Sequence, residues 1–221
     1  MCAVYTIRIS ASDLQASFDS IRTLISQFND RILPYKKAPI LFQEGPQQIF
    51  KLMNFSLIPS WSKDPKVKWA THNARMETLL EKATWKKLVA RNRCLVPIST
   101  FIEPIYTGPL AGNMVSFTDQ REKLLLAAGL HDSWTNKETG EVIDSFAIIT
   151  SDPPKFIGDT GHDRCPVFLT KSAYRAWIEV NRDDTDDFCM DILQSSRKDF
   201  DFKAEVDRPM AAGWKKRIPK N

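Results

Sequence analysis

The chain has 221 residues, of which 43% are hydrophobic and 26% charged, a composition typical of a soluble globular protein with a proper core. It contains no apolar run of the roughly 18 residues that a membrane span needs, and its first residues do not combine a basic stretch with an apolar run, so we expect no secretory signal. We therefore expect a protein that does not associate with membranes, in the cytoplasm (beside the nucleoid in a bacterium) or, in a eukaryote, in the nucleus. The net charge of +4 permits contacts with phosphates but does not demand them.

The predicted elements begin with an amphipathic helix over residues 12–28, where apolar side chains recur at helical spacing. Residues 34–46 hold three prolines and a glycine and are predicted to form a loop. Strands are predicted at 49–58, 93–98, 114–118, 123–130 and 145–150. Helices are predicted at 76–90, 171–178 and 183–193. Because strands and helices do not alternate regularly, an α+β domain with a largely antiparallel sheet fits best. We expect one domain over residues 2–200, followed by a basic C-terminal tail over residues 201–221.

The four cysteines contain no CxxC pair or tight cluster, so neither a zinc ribbon nor a disulfide framework is indicated, and no metal or other cofactor is expected. Cys2 becomes the N-terminal residue if Met1 is removed. An α-amine titrates near pH 7.7–8.0, so part of it is neutral and nucleophilic. The amine can attack an aldehyde to give an imine, and the adjacent thiol can then close a thiazolidine ring.

Three other segments could supply the remaining parts of such a site. NARMET at residues 73–78 combines amide, guanidinium and carboxylate groups, FIE at 101–103 places Glu103 after an apolar run, and HDRCPV at 162–167 begins with His162. Each could be structural on its own. Together they supply the nucleophile, amide, carboxylate and imidazole that nucleophilic catalysis with proton transfer needs.

The order and spacing of these segments, with PSW at 59–61 and RCLVP at 93–97, resemble the SRAP family of SOS-response-associated peptidases. The resemblance runs from residue 2 to about residue 180. It implies a barrel-like β core flanked by helices and a monomer that acts in the DNA damage response. The expected partner is single-stranded DNA with abasic sites, whose aldehyde forms a covalent thiazolidine with Cys2.

The same resemblance implies a role for each site residue. Asn73 would orient the N-terminal cysteine and the sugar, Glu103 would act as general acid–base, and His162 would assist opening of the deoxyribose. Trp61, Arg75 and Arg164 would bind DNA. Two alternatives stay open. The first is a thiol peptidase, with peptidase- or lyase-like activity, that releases its own Met1 or cleaves other proteins. The second is a binding module without a covalent step.

Overall fold

The computed structural model describes residues 4–8, 31–181, 183–198 and 200–218. The strands over these residues are β1 (Val4–Thr6), β2 (Arg31–Ile32), β3 (Lys37–Glu44), β4 (Gln47–Phe55), β5 (Asn73–Arg75), β6 (Arg93–Ile98), β7 (Thr100–Pro104), β8 (Asn113–Asp119), β9 (Leu125–Thr135), β10 (Val142–Ser151), β11 (Cys165–Pro166) and β12 (Phe202–Pro209). The α-helices are α1 (Lys155–Asp159), α2 (Tyr174–Ile178) and α3 (Asp186–Ser195). Short 3₁₀ turns form at Met76–Thr78, Lys171–Ala173 and Trp214–Arg217.

Five strands close into a barrel. β10 pairs with β4, β4 with β3, β3 with β6, β6 with β9, and β9 returns to β10. Only the β4–β10 pairing within this ring is parallel. A side chain at Gly129 of β9 would place its Cβ 2.8 Å from the Ala147 carbonyl oxygen and 2.9 Å from Cys94 Sγ, so glycine permits the close strand approach there. The expected α+β fold with a largely antiparallel, barrel-like core is confirmed.

A second sheet, fully antiparallel, packs beside the barrel in the order β12-β8-β7-β1-β2. Its outer strand β12 lies within the range that the sequence analysis assigned to a C-terminal tail. This strand pairs along β8 from Phe202 opposite Asp119 to Pro209 opposite Asn113, and Phe202 is buried. The sheet therefore extends through residue 209, and the basic stretch of the predicted tail lies beyond it.

Alternation along the barrel strands builds two hydrophobic cores. Ile40 and Phe42 of β3 join a cluster with Tyr5 and Phe101 of the second sheet, which holds the two sheets together. Leu41 faces the opposite way, into a cluster that also contains residues of α2 and α3. Helices α2 and α3 therefore cover one side of the barrel, and the second sheet packs against the other core.

Two predicted elements were wrong. Residues 34–46 are not a loop, because β3 occupies Lys37–Glu44. The predicted helix at 76–90 is instead a 3₁₀ turn followed by irregular turns, in which Leu79, Trp85 and Leu88 are buried. The predicted helix at 12–28 lies outside the described residues. No helix in the described ranges is long and apolar enough to span a membrane.

Candidate active site

Glu103 lies in the middle of the second sheet with its side chain fully buried. Strand β7 places it opposite Val115 of β8, and the preceding residue, Ile102, pairs with Val4 of β1. Its side chain is 0% exposed. A buried carboxylate is costly unless polar partners compensate it, so this position is expected to serve chemistry or a specific contact.

His162 supplies an imidazole to that carboxylate. Its Nε2 lies 3.4 Å from Oε2 of Glu103, and its side chain is 4% exposed. The preceding residue, Gly161, has φ +95°, and a Cβ there would fall 2.1 Å from the Thr107 carbonyl oxygen. Only glycine allows this loop to approach so closely, and the approach brings His162 onto Glu103.

Asn73 is held in place by β10. The short strand β5 pairs in parallel with β10, with Asn73 opposite Ile148, and Asn73 is buried. Thr150 of β10 lies opposite both Arg75 of β5 and Pro166 of β11. The loop that carries His162 leads directly into β11. A single strand therefore fixes both the asparagine motif and the histidine motif.

His72 is a second imidazole that the sequence analysis left without a role. Its ring meets Phe55 edge to face at 5.9 Å. Burial lowers the pKa of His72, and the negative charge of nearby Glu103 offsets part of this shift. His72 therefore shares an electrostatic environment with Glu103 and stays neutral to lower pH than an exposed histidine. Its place beside Asn73 in the motif was the only signal in the sequence.

Cys2, the predicted nucleophile, lies outside the described residues. The other three cysteines, Cys94, Cys165 and Cys189, are buried free thiols. Burial raises the pKa of each of them, so they are protonated near neutrality and are poor nucleophiles.

Arg164, predicted to bind DNA, is engaged by protein groups. It is 7% exposed and donates to Glu77 through both terminal nitrogens at 3.0 and 2.9 Å. It also donates to the Thr150 carbonyl oxygen at 2.6 Å. The salt bridge lowers the pKa of Glu77, although burial opposes the shift. A DNA contact by Arg164 stays a prediction, whereas Arg75, at the end of β5, is exposed.

Trp61 lies on an exposed segment between β4 and β5. It is 54% exposed and stacks with Trp69, which is 48% exposed, with ring centroids 6.3 Å apart and planes inclined by 22°. The Ser60 N–H donates to Asp132 at 2.7 Å and thereby anchors the start of the segment. Trp69 belongs to no motif, so nothing in the sequence pointed to it. Three exposed lysines, Lys63, Lys66 and Lys68, lie between the two tryptophans.

The described residues contain no group of three or more His, Cys, Asp or Glu side chains arranged to hold a metal ion. What they do contain is a buried carboxylate and imidazole, Glu103 and His162, next to each other near the end of β1, in a fold that also buries Asn73. Such an arrangement can hold a small polar group and move protons around it.

Comparison with known proteins assigns the family. The profile of the SOS response associated peptidase (SRAP) family matches residues 1–207. The abasic site processing protein YoqW of Bacillus subtilis is 32% identical over 207 residues, covering 88% of this chain and 87% of that protein. The abasic site processing protein HMCES of Xenopus tropicalis is 30% identical over 185 residues, covering 70% of this chain and 54% of HMCES. The chain belongs to the SRAP family.

Solved structures support the same fold. A protein from Bordetella bronchiseptica superposes with a TM-score of 0.71 at 20% identity, and the match covers 94% of this chain and 100% of the other. A protein from Bacteroides thetaiotaomicron gives a TM-score of 0.70 at 21% identity, covering 94% of this chain and 92% of the other. At these identities the likeness shows the fold alone.

Proposed function

We propose that this protein acts in the DNA damage response by binding single-stranded DNA at abasic sites and forming a thiazolidine between Cys2 and the aldehyde of the lesion. Relatives that share most of the chain are named abasic site processing proteins, which supports the lesion as the target. The observation that carries the proposal is the buried Glu103–His162 pair beside the strand that leads to Cys2.

The register of β1 limits how far Cys2 can be from this pair. Val4 lies opposite Ile102, the residue before Glu103. Two peptide units separate Val4 from Cys2, and two residues span at most about 7 Å. An N-terminal amine and thiol at this position are therefore within reach of a sugar held against Glu103 and His162.

The chemistry needs only proton transfers. The α-amine adds to the aldehyde carbon, the carbinolamine loses its hydroxyl as water to give an imine, and Sγ then adds to the imine carbon while the thiol proton passes to nitrogen. One water leaves and no electron donor or acceptor takes part. Glu103 is proposed to take the proton from the amine and deliver it to the leaving hydroxyl, and His162 to move protons during opening of the sugar ring. Asn73 is proposed to orient both reactants.

The surroundings suit a flexible single strand. Exposed aromatic rings can stack on bases, worth roughly 1–3 kcal/mol per base, and Trp61 with Trp69 offers two such rings among lysines. The exposed guanidinium of Arg75, two residues beyond Asn73, can bind a phosphate next to the lesion. Arg164 is proposed to contribute to DNA binding indirectly, by holding the loop that carries His162 in position.

The decisive experiment mixes the protein, with removal of Met1 verified by intact mass, with a single-stranded oligonucleotide that carries one natural abasic site. We expect an adduct that survives denaturing electrophoresis and whose mass is the sum of the components less one water. Cys2→Ala and Cys2→Ser should both abolish this stable adduct, because without the thiol the α-amine can form only an imine, which borohydride traps. Glu103→Gln should slow formation by about 10²-fold or more, as for loss of a general acid–base.

The matched control is Cys189→Ala, which removes a buried thiol whose hydrogen-bond donor is Arg93 and should leave the adduct unchanged. No adduct from the mature wild-type protein at neutral pH would overturn the proposal. The peptidase alternative predicts retention of Met1 in Glu103→Gln and peptide turnover that Cys2→Ala removes. A binding module without a covalent step predicts equal DNA affinity for Cys2→Ala and no adduct at all.

A further inference from the structure

A cavity of about 310 Å³ lies on the outer face of the second sheet. Val4 of β1, Ile102 of β7 and Met114 of β8 line it from the sheet, and Met210 lines it from the segment after β12. Tyr106, beyond the end of β7, adds an aromatic ring. The volume is at the lower end of the range for small-molecule sites, and the wall is apolar in the way such sites usually are.

The cavity and the candidate active site lie on opposite faces of the same strand. Ile102 and Pro104 line the cavity, and successive side chains of a strand point to opposite faces. Glu103, between them, is turned away from the cavity, toward His162. Val4, another lining residue, is two residues from Cys2. Since two residues span at most about 7 Å, a DNA strand joined to Cys2 starts within about that distance of Val4, at the wall of the cavity.

Charge at the cavity favours an anion. Arg208 and Arg217 both line it, and both are exposed. Asp207 accepts a hydrogen bond from Arg208 at 2.8 Å but also accepts two from Arg31, so one carboxylate is shared between two guanidinium groups. These contacts lower the pKa of Asp207, which is therefore fully ionised, yet positive charge still exceeds negative charge here.

We propose that this cavity binds the nucleotide next to the abasic residue, with its base against Met114, Met210 and Tyr106 and its phosphate on Arg208 and Arg217. This inference rests on the proposed function and extends it, because it assigns a defined binding position to an intact neighbour of the lesion. The thioethers and the phenol ring offer polarizable surfaces for a flat base, and arginine can bind phosphate oxygens in a bidentate manner.

The phosphate half is tested by the salt dependence of binding to a single-stranded oligonucleotide in which tetrahydrofuran replaces the abasic sugar. This analogue has no aldehyde, so binding is measured without the covalent step. For single strands the slope of log K against log salt is about 0.7 per phosphate contact. Because both arginines are proposed to hold the same phosphate, the double variant Arg208→Gln/Arg217→Gln should reduce the slope by about 0.7 and weaken binding roughly tenfold at low salt. The control Lys171→Gln/Arg175→Gln also removes two positive charges, from exposed side chains at α2 and just before it, and should do neither.

The base half is tested by placing a second tetrahydrofuran at each position on either side of the lesion analogue in turn. At one flanking position, loss of the base should weaken wild-type binding by roughly 5- to 150-fold, the range for one stacked base. In Met114→Ala/Met210→Ala the same loss should cost less than about threefold, because the base has lost its contacts there. Met210→Ala alone, at a residue outside the buried core, is the second variant if the double variant melts early.

Equal slopes for wild type and the arginine variant, or equal base-loss penalties for wild type and the methionine variants, would overturn the inference. Such results leave the adduct assay with natural abasic DNA unaffected. Conversely, if the adduct fails to form while the flanking base still depends on Met114 and Met210, the covalent proposal fails and the nucleotide cavity stands.

Discussion

Arg75 and Arg164 lie in two neighbouring motifs, and burial separates their functions. Arg75 ends β5 with its side chain exposed, whereas Arg164 is buried and bound to Glu77 and to the Thr150 carbonyl oxygen. An exposed guanidinium can exchange water for a phosphate at little cost. A buried one that already satisfies a carboxylate and a strand carbonyl cannot leave them without exposing unpaired polar groups.

Glutamine at each position should therefore give opposite results. Arg75→Gln should weaken binding of tetrahydrofuran-containing single-stranded DNA, with a salt slope reduced by about 0.7, and should leave stability within about 0.5 kcal/mol. Arg164→Gln should lower the free energy of unfolding by about 2–3 kcal/mol, since it breaks the pair with Glu77 and leaves the Thr150 carbonyl poorly satisfied. Urea unfolding and fluorescence anisotropy on both variants check the prediction. A stable Arg164→Gln with the larger loss of DNA affinity would contradict it.

Residue identities could be predicted from the sequence where a motif carries them. Asn73, Glu103 and His162 stand in recognisable segments, and the structure brings Glu103 and His162 to 3.4 Å across 59 positions of the chain. The proximity itself could not be predicted, because it depends on β-strand register and on the close approach at Gly161. His72 and Trp69 were missed because their importance comes from a neighbour in space.

Elements were predictable where local pattern and tertiary context agree. The apolar run at Arg93–Ile98 is β6 with the predicted bounds. Residues 34–46 were misread because prolines usually exclude a central strand. Pro39 is tolerated in β3 since the pairing of β3 with β6 is confined to Leu41 and Phe42, so the proline lies beyond that ladder. The apolar residues of the segment 76–90 recur at helical spacing, which predicts a helix. In the structure, separate turns on the barrel surface bury the same residues without forming one.

One buried side chain joins β6 to the helices on its flank. Arg93 is 1% exposed and donates to the Trp177 and Glu179 carbonyls around α2 and to the Ala90 carbonyl at 2.9 Å. It also binds Asp184, just before α3, at 2.6 Å. This pair, with other hydrogen bonds, lowers the pKa of Asp184 although burial opposes the shift. The guanidinium of Arg93 therefore links the barrel strand β6 to α2 and to the start of α3 through hydrogen bonds.

Arg93→Lys should cost about 3–5 kcal/mol of unfolding free energy, because one ammonium cannot reach the carbonyls and the carboxylate that the planar guanidinium serves together. Hydrogen exchange should rise first in α2 and α3. Arg91→Lys, two residues away on the exposed side, is the matched control and should change stability by less than about 0.5 kcal/mol. Equal effects of the two substitutions would contradict this role for Arg93.

Between pH 7 and pH 5, above the range in which carboxylates are protonated, the stability of the molecule responds to its buried histidines, and the chain has 3 histidines. Burial lowers the pKa of His131 to about 4, while the charge of Asp144 raises this pKa and the charge of Lys51 lowers it. Its ring packs against Phe42 at 4.8 Å. Burial also lowers the pKa of His72. A histidine with a lowered pKa binds fewer protons in the folded chain than in the unfolded chain, so stability is full above the ordinary pKa of about 6.5 and falls as the pH drops toward the folded value.

We therefore expect the wild-type protein to lose stability between about pH 6.5 and pH 4, with His131 contributing about 2 kcal/mol of the difference between pH 7 and pH 5. His131→Phe keeps a flat apolar ring against Phe42 and removes the titrating group, so its urea midpoint should change much less over this interval. Unfolding followed by far-ultraviolet circular dichroism at the two pH values measures the effect. If His131→Phe loses as much stability as the wild type, protonation of His131 does not drive the acid sensitivity. The loss of stability would then be assigned to His72, and a parallel His72→Phe variant should lose much less stability over the same pH interval.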